Sequence, residues 1–278
     1  MDKMLVIARR EFGEVVRTKM FWVSALLPVV VMTGFIIWAA RHAGPMTGQD
    51  ARVIRAMGAF TYLFVMFMSI IPTSQMLVTS VIEEKNSRVV EVLLSAVSPF
   101  ELMGGKILGL FAVGLAIAVI LVTVFGVAAS IVGVLQAPGP VLLALFLVYY
   151  LLGFALISSI FAAAGAAFNT LKEAQAIMMP LSLLLVLPFM FWMRIVQHPD
   201  GAFAVALSIF PPTAPTVMIL RIAIMPKLPW LEIAISLLLL AASVPCAVWA
   251  AAKVFRTGIL LYGKPPKLRE VLRWVRHG

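Results

Sequence analysis

The chain has 278 residues, 63% of them hydrophobic and only 12% charged, with a net charge of +10 and one cysteine. A soluble domain carries roughly 25% charged residues, so this composition excludes an ordinary soluble fold. The lone Cys246 excludes an internal disulfide framework and a cysteine-rich metal site.

The apolar runs are continuous rather than alternating, which argues against a β-barrel. Several exceed the ~20 residues that cross a hydrocarbon core. The fold expected is an all-α polytopic membrane protein, a single transmembrane domain over 1–278, with six spans, an N-terminal interfacial helix and short outer helices before the last span.

In chain order, residues 3–19 predict the interfacial helix. Leu5, Ala8, Phe12, Val15 and Val16 share one face, and Lys3, Arg10, Glu14 and Arg17 the other. Arg10, Phe12 and Arg17 are therefore expected at the membrane interface, the basic face toward anionic headgroups. The first span is 21–40, read as retained because no small-residue cleavage site follows it. The second span is 56–82, a run of 27 residues without an acid or a base.

The next uncharged run, 107–171, holds 65 residues and contains Gln-Ala-Pro-Gly-Pro at 136–140. Two prolines and a glycine end a helix, so this run divides into spans at 107–135 and 141–168. A fifth span is expected at 176–193 and a sixth at 231–252. Between them, 203–224 contains Phe-Pro-Pro-Thr-Ala-Pro and Arg221, which predicts short or re-entrant helices. A seventh span is the competing reading. Cys246, within the last span, is expected as a small buried hydrophobe.

Lys and Arg placement orients this map. Segments 1–20, 83–106, 169–175 and 253–278 hold 16 basic residues, and the opposite segments hold 6. Both termini are thus expected in the cytoplasm, at the inner membrane. A seventh span would put the basic tail on the wrong side.

No phosphate loop, His-Glu-x-x-His or Gly-x-Ser-x-Gly pattern occurs, and His42, His198 and His277 lie at segment ends. No catalytic residue, cofactor site or metal site is expected in this chain. The map leaves no ionisable group deep inside a span, against the habit of ion-coupled carriers. Ser69, Thr73, Ser74 and Gln75, with Ser158 and Ser159, are the polar residues within spans, and helix packing accounts for such hydroxyls.

The segment "EEKNSRVVEVLLSAVSPFELMGGK", 83–106, stands between two uncharged runs. Ser98-Pro99-Phe100-Glu101 is a helix start: Ser98 caps, Pro99 takes the first helical position, and Glu101 stands three beyond the cap. The segment predicts helix, break, helix, the second half running into the third span. Gly104 and Gly105 suit either a bend there or close helix packing. A rigid elbow with exposed charges suits docking.

These residues resemble the signature of ABC-2 type permeases, the membrane subunits of type-2 ABC exporters. Glu83, Glu84, Lys85, Glu91, Leu93, Leu94, Pro99, Gly105 and Lys106 fall on the pattern. It is most similar to the Nat-type sodium-efflux branch, where Glu-Glu-Lys and Ser-Arg-Val are typical. The resemblance implies a separate ATP-binding subunit, two copies on a dimer of permeases, with ATP and Mg on that partner and none on this chain. It implies that Glu83, Glu84, Lys85, Arg88, Glu91, Ser98, Pro99, Glu101 and Lys106 receive the partner's motion. Nat-type permeases often carry a large outer domain between the first two spans, where this chain has only the 15 residues 41–55. Two other functions fit the composition: an ATP-independent carrier or channel, and a membrane assembly factor that transports nothing.

Overall fold

The computed structural model describes residues 2–19, 21–23, 27, 30–31, 34, 48–87, 97–131 and 139–258. Among them the secondary structure is helical: α1 Asp2–Val16, α2 Gly48–Asn86, α3 Pro99–Ile131, α4 Pro140–Ala167, α5 Leu171–Met190, α6 Trp192–Gln197, α7 Ala202–Ile209, α8 Ala214–Ile224 and α9 Trp230–Gly258.

Among the described residues, four stretches are long and apolar enough to cross a membrane: Ala56–Asn86, Glu101–Val124, Pro140–Ala167 and Trp230–Val254. They correspond to the second, third, fourth and sixth expected spans. Most of the expected first span, 21–40, lies outside the described residues, as do Gln136–Pro138 and the tail beyond 258. The expected fifth span begins earlier and ends earlier than 176–193. Thr170 caps α5, its hydroxyl accepting from the Glu173 N–H at 3.3 Å, and the helix stops at Met190. Within α5 the apolar part, Met178–Met190, is a shorter apolar helix, as is Ala214–Ile224.

The elements end where backbone chemistry ends them. Pro140 occupies the first turn of α4 behind Gly139, a position where its missing N–H is no loss. The Pro-Pro step at 211–212 separates α7 from α8, so 203–224 is two short helices, as expected. Pro72 lies inside α2 and removes a backbone donor there. Hydroxyls nearby bond to their own helix: Ser69 donates to the Val65 carbonyl at 2.7 Å, and Thr73 to the Ile70 carbonyl at 3.1 Å. Ser159 does the same in α4, donating to the Ala155 carbonyl at 2.6 Å.

α4 is the centre of the bundle. It packs on α2, α8 and α9, while α3 packs on α2 and α1. Phe146, Tyr150 and Phe154 recur along one α4 face, and Phe111 of α3 packs against the latter two. In a bilayer, helices associate through close packing rather than through hydrophobic transfer. Gly153 shows this: a Cβ there would lie 2.6 Å from Pro215 Cγ. Pro215 of α8 therefore sits in a notch that only glycine leaves open. Cys246 is exposed, contrary to the expected burial, because it lies on the outward side of α9, much of whose surface the bundle leaves uncovered.

Candidate coupling site

α3 begins as the sequence predicts. The Ser98 N–H and hydroxyl donate to Glu101 Oε2 at 2.8 and 2.9 Å, and the Glu101 N–H donates to Ser98 Oγ at 3.2 Å. This reciprocal capping box fixes where the elbow turns into the third span. From Pro99 to Ile131 the helix is unbroken.

Gly104 and Gly105 accept α1. A Cβ at Gly105 would lie 2.6 Å from Ile7 Cβ and 2.9 Å from the Met4 carbonyl oxygen. One at Gly109, four residues on, would lie 2.7 Å from both the Ala8 carbonyl and Glu11 Cβ. Small residues four apart form a groove in which two helix backbones can touch. The face of α1 that enters it carries Met4, Ile7, Ala8 and Glu11. This differs from the expected face: Leu5 is exposed, while Phe12 and Val15 pack at the edge of the core. Arg10 and Arg17 are exposed, on the side away from α3.

Between the two glycines stands Lys106. Its ammonium donates to Glu11 Oε1 of α1 at 2.8 Å and to Ser80 Oγ of α2 at 2.6 Å, and lies 2.9 Å from Glu84 Oε1 of α2. Side-chain exposure is 2% for Lys106, 7% for Glu11 and 14% for Glu84. The cluster thus belongs to the buried regime, where removing one partner leaves an uncompensated charge. Among the described residues Glu84 Oε2 is buried without a hydrogen-bond partner, so there the carboxylate meets Lys106 through one oxygen. Arg10 stands nearby. Its hydrogen bond to Glu14, 2.8 Å long, raises it above its ordinary value against partial desolvation, and the charges of Glu14, Glu84 and Glu11 add to the rise.

A second tie joins the end of α2 to the turn after α4. Lys85 Nζ donates to the Ala166 carbonyl at 3.1 Å, and Asn86 Nδ2 to the Asn169 carbonyl at 3.1 Å. Lys85 is fully buried.

The residues expected to meet a partner therefore divide. Glu84 and Lys106 form the interior of a three-helix junction, and Lys85 points into α4. Glu83 and Ser98 are exposed, Pro99 opens α3, and Glu101 is half-buried. Arg88 and Glu91 lie outside the described residues. Glu11 and Ser80 were not anticipated. The available signal for Glu11 was its i, i+4 spacing from Ile7 and Val15, but a helix carrying three charges at 9–11 reads as a polar surface.

A further buried charge lies in the 203–224 segment, outside the expected spans. Arg221 of α8 has no exposed surface. Its Nε donates to the Pro199 carbonyl at 2.7 Å and its Nη1 to Ser208 Oγ of α7 at 2.7 Å. Nη2 lies 2.6 Å from Glu232 Oε2 of α9, a close ion pair whose atoms are not aligned as a hydrogen bond. Ser236 Oγ donates to the Ser208 carbonyl at 2.6 Å. Arg221 ties the 198–201 turn, α7, α8 and α9 together. The sequence places it only within the 203–224 segment of short or re-entrant helices.

Residues 46–253 match the model of a family described as ABC-2 family transporter protein. The chain is 32% identical over 213 residues to the uncharacterized protein MJ1024 of Methanocaldococcus jannaschii, covering 76% of this chain and 52% of the relative. It is 25% identical over 229 residues to the uncharacterized protein YhaP of Bacillus subtilis, covering 78% of this chain and 54% of the relative. The chain spans about half the length of these curated relatives.

Proposed function

Since the chain belongs to the ABC-2 transporter family, we propose that it is the permease subunit of an ATP-driven exporter, worked by a separate ATP-binding subunit that docks on the elbow at 83–106. The observation that carries this reading is the Lys106 junction. One buried ammonium joins the interfacial helix, the end of α2 and the start of α3. Force applied to the segment between α2 and α3 then moves both spans and α1 together, because no element can shift alone without stripping a buried carboxylate of its counter-ion. No chemistry is required of the chain itself; it converts a push into helix tilt.

In this reading both termini face the cytoplasm, the first and fifth spans complete a six-span bundle, and a second permease subunit completes the transporter. The elbow signature supports the Nat-type branch, while the short 41–55 segment leaves the exported solute open.

The test is co-purification of the full chain with its ATP-binding subunit and measurement of stimulated hydrolysis. Glu83→Lys reverses an exposed charge that is not among the Lys106 partners, and Arg88→Glu reverses a second charge of the 83–106 segment. Both are expected to weaken capture of the ATPase and to lower its stimulation, with membrane insertion unchanged. Full stimulation in both variants would remove the docking role.

An ATP-independent carrier gains one point from the buried Arg221. Yet among the described residues that guanidinium meets internal partners: a carbonyl, a hydroxyl and Glu232 at the start of α9. Reconstituting the chain alone separates the two readings, since a carrier moves solute without the ATPase.

A further inference from the structure

α5 starts beside the α2 end, where Asn86 reaches Asn169, and its 20 residues span roughly 30 Å. It ends beside the start of α2, where Phe60 packs against Phe189 and Trp192, so the segment after it lies at the end of the bundle opposite the elbow. There, residues 194–204 enclose an open groove of about 640 Å³, within the size range of ligand sites. Arg194, Gln197, His198, Asp200 and Phe203 are among the residues that line it. Arg194 lies over Phe203 at 5.7 Å, and Phe203 packs edge-on against Phe191 with centroids 5.2 Å apart.

Three features make this more than a surface dent. The groove is braced from behind, since buried Arg221 holds the Pro199 carbonyl at its wall. Its charge is balanced: one cation, Arg194, and one anion, Asp200, both line it, and Arg221 behind the wall is matched by Glu232. Its surroundings are apolar and exposed, with Met190 at 70%, Met193 at 47% and Phe203 at 39%. Such a neighbourhood belongs at the boundary between acyl chains and headgroups, where aromatic and cationic side chains concentrate.

We propose that the 194–204 groove binds the headgroup of a zwitterionic phospholipid of that leaflet, with Arg194 and Gln197 taking the phosphate, Asp200 taking the ammonium, and the exposed Met and Phe side chains meeting the acyl chains. An arginine fork matches a phosphate, and a carboxylate supplies the charge-assisted partner for an ammonium. An anionic lipid would satisfy Arg194 and leave Asp200 repelled. Arg221 is a positioning residue here, touching the wall and not the lipid. The site stands apart from the elbow and does not depend on ATP-driven export.

The experiment uses the full chain in nanodiscs of equimolar phosphatidylethanolamine and phosphatidylglycerol with matched acyl chains, released into native mass spectrometry. The wild type is expected to retain phosphatidylethanolamine in several-fold excess over phosphatidylglycerol. Asp200→Asn makes the groove net positive and is expected to reverse that order. Arg194→Gln is expected to lower retention of both about tenfold, the scale of one charge-assisted hydrogen bond. Both side chains are exposed, so an unchanged melting temperature serves as the folding control. Equal retention of the two lipids by the wild type overturns the proposal with no variant needed. So does an order that Asp200→Asn leaves unchanged.

Discussion

Replacing Lys106 with methionine tests the three-helix junction most directly. Methionine matches the length and apolar stem of lysine but leaves Glu11 and Glu84 with 7% and 14% side-chain exposure and no ammonium between them. Breaking a buried pair by deleting one partner costs about 3–5 kcal/mol. For a chain of this size each kcal/mol moves the melting temperature by roughly 2–4 °C, so a drop on the order of 10 °C is expected. The triple variant Lys106→Met, Glu11→Gln, Glu84→Gln removes the orphaned charges together and is expected to recover most of that loss, since neutral replacement of a buried network is far cheaper than breaking it. Thermal unfolding of the detergent-solubilised protein, followed by loss of the monodisperse chromatographic peak, measures both. The same variants belong in the ATPase assay: the triple variant should insert and melt nearly normally yet couple poorly, because α1 is no longer fastened electrostatically. A Lys106→Met protein that melts within 2 °C of the wild type would show that the cluster is solvated in the native membrane and that the clamp does not exist.

Two further outcomes follow from contacts of the same kind. Gly105→Ala places a methyl 2.6 Å from Ile7 Cβ and 2.9 Å from the Met4 carbonyl. The resulting overpacking should cost about 1–3 kcal/mol and loosen α1, read as faster proteolysis of the N-terminal segment, whereas Gly13→Ala, which meets nothing within 4 Å, should not. Glu232→Gln leaves the fully buried Arg221 charge unpaired and is expected to destabilise by about 3–5 kcal/mol; unchanged melting would show that the Pro199 carbonyl and Ser208 hydroxyl alone carry the arginine.

Three things were written in the sequence itself. Uncharged runs located four of the six expected spans, the second, third, fourth and sixth, because a bilayer accepts a helix only where polar side chains are absent over its thickness. Ser98-Pro99-x-Glu101 located the start of α3, since a capping box is closed entirely within four residues. The prolines at 211–212 separated α7 from α8 for the same local reason. What the sequence could not contain is which charges are hidden. Lys106 meets Glu11 across 95 positions, and Arg221 meets Ser208 and Glu232 from three different helices. A lysine at the end of an apolar run reads equally as a snorkelling headgroup anchor or as a buried counter-ion. Only the approach of α1 over Gly105 and Gly109 decides between them, by closing off the water that would otherwise solvate the ammonium and leaving two carboxylates to replace it.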